Sequence, residues 1–158
     1  MKYDTIKIDY EISPTKGESL KRYIRPSLWI NNECLSRELT VDMREMIASL
    51  KGSGEYAILT CTCGEPGCAG VWENIIVIHW PTTIRWLIPH QGPDRVILNG
   101  KENEGILLFK ENLFQRTDYF YAVSAAIETA KIMISQNVEG IETVPYGLSV
   151  EELLKGIQ

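Results

Sequence analysis

Residues 71–89 read Val71-Trp72-Glu73-Asn74-Ile75-Ile76-Val77-Ile78-His79-Trp80-Pro81-Thr82-Thr83-Ile84-Arg85-Trp86-Leu87-Ile88-Pro89. The run Ile75 to Ile78 has the length of a strand, not of a helix or a membrane span. Ile84, Trp86 and Ile88 alternate at period two, as a sheet face requires. Pro81 and Thr82 lie between the two runs, where a turn must be. The stretch predicts a strand over 71–80, a turn, and a strand over 83–89 running back antiparallel. That hairpin is the frame on which the rest of the chain is read.

Immediately upstream, residues 61–70 read Cys61-Thr62-Cys63-Gly64-Glu65-Pro66-Gly67-Cys68-Ala69-Gly70. Thiolates bind zinc at about 2.3 Å in a tetrahedral arrangement. Bringing Cys61, Cys63 and Cys68 onto one ion needs a tight turn. Gly64 and Gly67 can take positive φ and Pro66 fixes its own, so the turn chemistry is present. Buried thiols in a metal-free turn, and a redox-active thiol pair, are the other readings of the cluster. The chain starts without the continuous apolar core of a signal peptide, so the expected compartment is cytoplasmic, where clustered cysteines read as metal ligands. The expected cofactor is a structural zinc ion.

The fourth ligand has three candidates. Cys34 is the remaining thiol. The antiparallel return of 83–89 carries His90 back toward the loop. A straight strand over 70–79 instead carries His79 about 30 Å away, at about 3.3 Å per residue. Cys34 and His90 rank together, ahead of His79, for which a half-buried strand position with both ring nitrogens satisfied is the expected role. A solvent or substrate ligand in the fourth position would make the site catalytic.

Elsewhere, Ile6, Ile8, Tyr10 and Ile12 share one face of a strand over 2–12. Residues 23–30 form another, with Pro26 arguing for an edge or a bulge. Asn31-Asn32 marks a turn. Leu39, Met43, Met46, Ile47 and Leu50 recur at helical spacing, predicting a helix over 37–50 with a core-facing stripe, closed near Gly52. Residues 55–62 are strand-like, and 96–98 with 106–109 suggest a hairpin around Asn99-Gly100. A long helix is predicted over 117–136, capped by Thr117 or Asp118, with Phe120, Val123, Ile127, Ala130 and Ile134 inward. Ser149 and Glu152 resemble a capping box opening a short final helix. The expected fold is one α+β domain over 1–158, a mostly antiparallel sheet of about seven strands with two main helices and that short third. Trp29, Trp72, Trp80 and Trp86 are expected in the core or at an interface.

The loop spacing C-x-C-G-x3-C-x-G resembles the post-SET zinc loop of lysine methyltransferases, carried by Cys61, Cys63, Gly64, Cys68 and Gly70. The Asn-His-Ser-Cys segment and the cofactor signature of that family are missing. Leu59 through Gly70, then Ile75 to His79, then Ile84-Arg85-Trp86, then Leu108-Phe109-Lys110, together resemble a pattern of small bacterial proteins of uncharacterised function. That resemblance implies a shared fold over about residues 40–115 and supplies no activity. In size and charge the chain also looks like bacterial immunity proteins.

The 158 residues carry 16 Lys plus Arg against 21 Asp plus Glu, a net charge of −5, with 44% hydrophobic residues. These values exclude a disordered chain and a strongly basic nucleic-acid binder. The small basic cluster Lys16, Lys21, Arg22 and Arg25 reads as a solvated face. No phosphate loop, nucleophile elbow or zincin motif is present. The expected function is a protein-binding module with a structural zinc knuckle. Its partner is expected to be basic, with no membrane role, and immunity is one such role. The alternative is a metal-dependent enzyme with an open fourth coordination position.

Overall fold

The computed structural model describes residues 2–13, 22–36, 40–60, 74–89, 109–136 and 141–143. The predicted hairpin is present. β7 (Ile75–His79) and β8 (Thr83–Pro89) pair antiparallel from Ile76 opposite Leu87 to His79 opposite Ile84. The Trp80 amide donates to the Thr83 carbonyl and closes the turn over Pro81-Thr82. β5 (Gly54–Tyr56) adds to β7, and β9 (Phe109–Gln115) adds to β8, so the sheet order is β5-β7-β8-β9.

A second sheet is built on β2 (Arg22–Ile30). β1 (Ile6–Ser13) pairs antiparallel along its whole length. On the other side, β3 (Glu33–Cys34) pairs antiparallel at Trp29–Ile30, and β10 (Ile141–Thr143) pairs parallel at 22–24. Pro26 falls between those two pairings. Its carbonyl accepts from Thr40 Oγ1, and the Leu28 amide donates to Ser36 Oγ. The expectation of an edge strand is corrected: β2 is central. The proline is tolerated because it lies between the pairings with β10 and β3, where no ladder bond needs its missing N–H. Asn31 and Asn32 have φ of 51° and 65°, the pair of left-handed residues that a two-residue type I′ hairpin requires.

The strand expected over 55–62 is split. The Ala57 amide donates to Glu45 Oε2, and the Ile58 carbonyl accepts from the Asp42 amide. Backbone groups at 57–58 therefore serve the start and side of a helix, and β5 and β6 (Leu59–Thr60) enter different sheets. β6 pairs with β4 (Thr40–Val41). The helix expected over 37–50 is α1, Met43–Ala48, opened by Asp42, whose side chain accepts from the Arg44 amide. Of its predicted stripe, Met43, Met46 and Ile47 are buried in the helix, Leu50 is half-buried past its end, and Leu39 lies outside the described residues. It closes at Ser49, before the expected Gly52.

The second helix, α2 (Arg116–Ser135), follows β9 without a loop. Thr117 and Asp118 lie inside it and not at its cap. Gln115 precedes it with no side-chain cap, and the Arg116 amide bonds the Thr82 carbonyl instead. Its buried face is Tyr119, Ala122, Val123, Ala126 and Ala130. Phe120, Ile127 and Ile134, expected inward, flank it half-buried. Alanines let the helix axis approach the sheet, so the larger side chains sit on the shoulders.

The core joins all three sheets and both helices. Trp86, Phe114 and Tyr119 are fully buried at its centre. Trp86 meets Phe114 and Tyr119 edge-on, at ring separations of 5.3 and 5.8 Å. The three-sheet α+β architecture has more strands than the seven expected. The expected hairpin strand at 96–98, the expected start of its partner at 106–108 and the expected C-terminal helix lie outside the described residues. Among those described, no helix is long and apolar enough to cross a membrane.

Candidate functional site

The predicted ligands fall unevenly on the described structure. Cys61, Cys63, Cys68 and His90 lie outside it, as does Trp72. Cys34 and His79 lie within it.

Cys34 is on β3, opposite Trp29, and is half-buried with its Sγ 3.5 Å from Ser36 Oγ. It borders a cleft of about 270 Å³ together with Ile30, Glu33, Leu35 and Lys110. Lys110 lies opposite Ile88 in the ladder, one residue before Pro89. The β7–β8 register puts Pro89 at the same end of the sheet as Asn74, where the chain returns from the cysteine loop. Three chain positions therefore gather at one end: the cleft holding Cys34, the end of β8 and the start of β7.

His79 is at the opposite end of β7, five residues from Asn74, or roughly 16 Å at the strand rise. Its Nε2 donates to the Ser49 carbonyl at 2.7 Å. Its Nδ1 accepts from Arg116 at 2.8 Å. A carbonyl only accepts and a guanidinium only donates, so this pairing sets the Nε2–H tautomer. Ser49 closes α1, so the ring satisfies a helix-end carbonyl from a neighbouring strand. The His79 ring also meets Phe120 edge-on, and the Arg116 guanidinium lies 4.7 Å over the Phe120 ring. The expected half-buried, satisfied histidine is what the structure shows.

Behind it, Tyr119 Oη lies 2.7 Å from Ser49 Oγ and accepts from Trp86 Nε1 at 3.3 Å. Burial pushes the Tyr119 hydroxyl up to about 12. This network was not legible from periodicity, because its members come from α1, α2 and β8.

Asp4 makes the other polar centre. Its Oδ1 accepts from Asn31 Nδ2 at 2.7 Å, and its Oδ2 accepts from the Leu113 amide at 2.8 Å and from Asn112 Nδ2 at 3.2 Å. Partial burial opposes ionisation. The bonds from Asn31, Leu113 and Asn112, with Lys110 nearby, outweigh it and hold the carboxyl below its ordinary value. Asp4 thus ties the Asn31 hairpin of one sheet to β9 of the other. It borders a cavity of about 340 Å³ with Trp80, Arg85, Glu111, Asn112 and Leu113. Arg85 pairs with Glu111 there and lies against the Trp80 ring. Of the tryptophans, Trp86 is in the core as expected, Trp29 is half-buried, and Trp80 is 46% exposed.

Among the described residues no group of three or more His, Cys, Asp or Glu side chains is arranged to hold a metal. Comparison with protein-family models, curated proteins and solved structures finds no match.

Proposed function

We propose that this protein is a cytoplasmic protein-binding module whose Cys61–Gly70 loop is organised by a structural zinc ion, and that its partner is a basic protein. The observation that supports this is the gathering of Cys34's cleft, the end of β8 and the start of β7 at one end of the fold. A fourth ligand from Cys34, or from His90 just past β8, then closes the three-thiolate loop. A closed four-ligand site leaves no position for water or substrate, so its contribution is to folding and function passes to the surface. The net charge of −5 favours a basic partner through electrostatic complementarity. Neutralising a basic toxin domain, as immunity proteins do, is the specific role proposed.

The test is metal content of the full chain purified without chelator. One zinc per chain is expected, lost in Cys61→Ser and Cys68→Ser together with thermal stability. Loss of zinc in Cys34→Ser or in His90→Ala identifies the fourth ligand. Protein that binds no zinc removes the knuckle. Zinc retained in both variants, with an oxygen in its coordination shell by X-ray absorption, replaces this reading with the open-site enzyme. A basic partner recovered by affinity capture from the native host, and lost in high salt, is the expected result for the binding role.

A further inference from the structure

We propose that two copies of this chain pair through the outer edge of β1, making a two-fold symmetric dimer with one continuous sheet. β1 is terminal in its sheet, and among the described residues its backbone ladder is to β2 alone. It runs eight residues in unbroken register, from Ile6 opposite Ile30 to Ser13 opposite Tyr23. Natural edge strands are blunted by proline, a bulge, charged side chains or a covering element. Within Ile6–Ser13, β1 has no proline and no bulge, and its charged residues alternate with apolar ones. Ile6, Ile8, Tyr10 and Ile12 share one face, and Lys7, Asp9 and Glu11 share the other.

The apolar face of β1 is complementary to itself in one register. Antiparallel pairing keeps apolar residues opposite apolar ones only when the two-fold axis passes through a residue of the strand. Centred on Asp9, the pairing sets Lys7 opposite Glu11 twice, Ile6 opposite Ile12 twice and Ile8 opposite Tyr10 twice. Asp9 meets its own copy on the axis, with Lys7 of each chain 3.2 Å from the Asp9 carboxylate. Ile12, 46% exposed in one chain, gains Ile6 of the other as its neighbour. Centring on Ile8 sets Lys7 opposite Asp9 twice but puts Ile12 opposite Asp4, and centring on Tyr10 puts Asp9 opposite Glu11. Apolar matching selects the Asp9 register, in which the two Lys7–Glu11 pairs flank the Asp9 carboxylates on the axis. Opposed residues share a face, so both α2 helices, which pack over Ile8 and Tyr10, cover the same side of the joined sheet. The contact is isologous and closes on itself.

The test is the mass of the full chain by sedimentation or light scattering across the micromolar range. The unmodified chain is expected to be a dimer. Lys7→Glu sets like charges opposite Glu11 twice and weakens association roughly tenfold or more. Lys7→Glu with Glu11→Lys restores it. Both side chains are exposed, and unchanged far-ultraviolet dichroism verifies folding. Asp9→Cys, on the axis, cross-links two chains under mild oxidation beyond the unmodified background, and Lys7→Cys does not. A monomeric chain overturns the proposal. So does a dimer indifferent to Lys7→Glu, or one that the charge exchange does not restore.

Discussion

Arg116 donates a hydrogen bond to His79 Nδ1 at 2.8 Å, joining the first residue of α2 to the last residue of β7. The other ring nitrogen closes the end of α1 through the Ser49 carbonyl. One imidazole therefore links two helices and a sheet. His79→Ala leaves that carbonyl without its donor and is expected to cost about 1–3 kcal/mol in urea unfolding. The zinc content proposed for the chain is expected to be unchanged. Nitrogen-15 shifts of the native ring report the Nε2–H tautomer; the Nδ1–H form would contradict the geometry.

Tyr119 predicts how the fold fails in alkali. Its hydroxyl is raised to about 12 by burial, and burial raises Tyr10 as well. An unfolded tyrosine ionises near about 10. Below that pH both states keep the proton and the two residues do not affect stability. Above it the unfolded chain loses protons that the folded chain retains, so stability falls progressively between about 10 and the raised values. Absorbance at the phenolate band, compared with Tyr10→Phe and Tyr119→Phe variants, is expected to show these two tyrosines ionising only as the chain unfolds. Tyr119→Phe also strips Trp86 Nε1 of its acceptor, at a cost of about 1–2 kcal/mol.

Asp4 predicts the opposite limb. Its carboxyl is held below the ordinary value, so the folded state favours the ionised form. That stability is fully present above about pH 4, the unfolded value, and is lost as pH falls through the depressed one. Asp4→Asn is expected to lower the urea midpoint at neutral pH. The difference from the unmodified chain is expected to shrink toward pH 3, and a constant difference would remove the charge from the explanation.

The hairpin at Asn31-Asn32 can be improved. Both residues have positive φ, and the Asn31 side chain is used by Thr5 and Asp4. Asn32 is exposed. Asn32→Gly relieves the left-handed cost and is expected to stabilise by about 0.5–1 kcal/mol. Asn31→Gly gives the same backbone relief but loses the Thr5 and Asp4 bonds, so thermal melting is expected to rank it below Asn32→Gly.

How much was readable varies with the kind of signal. Strand pairing over 75–89 and the turn at Asn31-Asn32 were read correctly, because apolar alternation and left-handed residues act within a few positions. β9 was missed beyond Phe109, because Asn112 occupies a buried position on it. Only the fold supplies the reason, an amide bond to Asp4 more than a hundred residues earlier. The strand at 55–62 broke for a similar reason, since its middle amide serves Glu45.

By itself, the sequence determined the antiparallel β7–β8 hairpin, the methionine stripe of α1, the apolar face of β1 and the thiol spacing of the Cys61–Gly70 loop. Each is a local pattern whose physics is complete within one element. The tertiary structure decided which elements those patterns meet. It made His79 the link between α1 and α2, placed Asp4 between two sheets, put Pro26 inside a central strand and brought Cys34 to the end of the fold where β8 terminates. Those outcomes depend on hydrogen-bond partners far apart in the chain, and residue spacing carries no information about them.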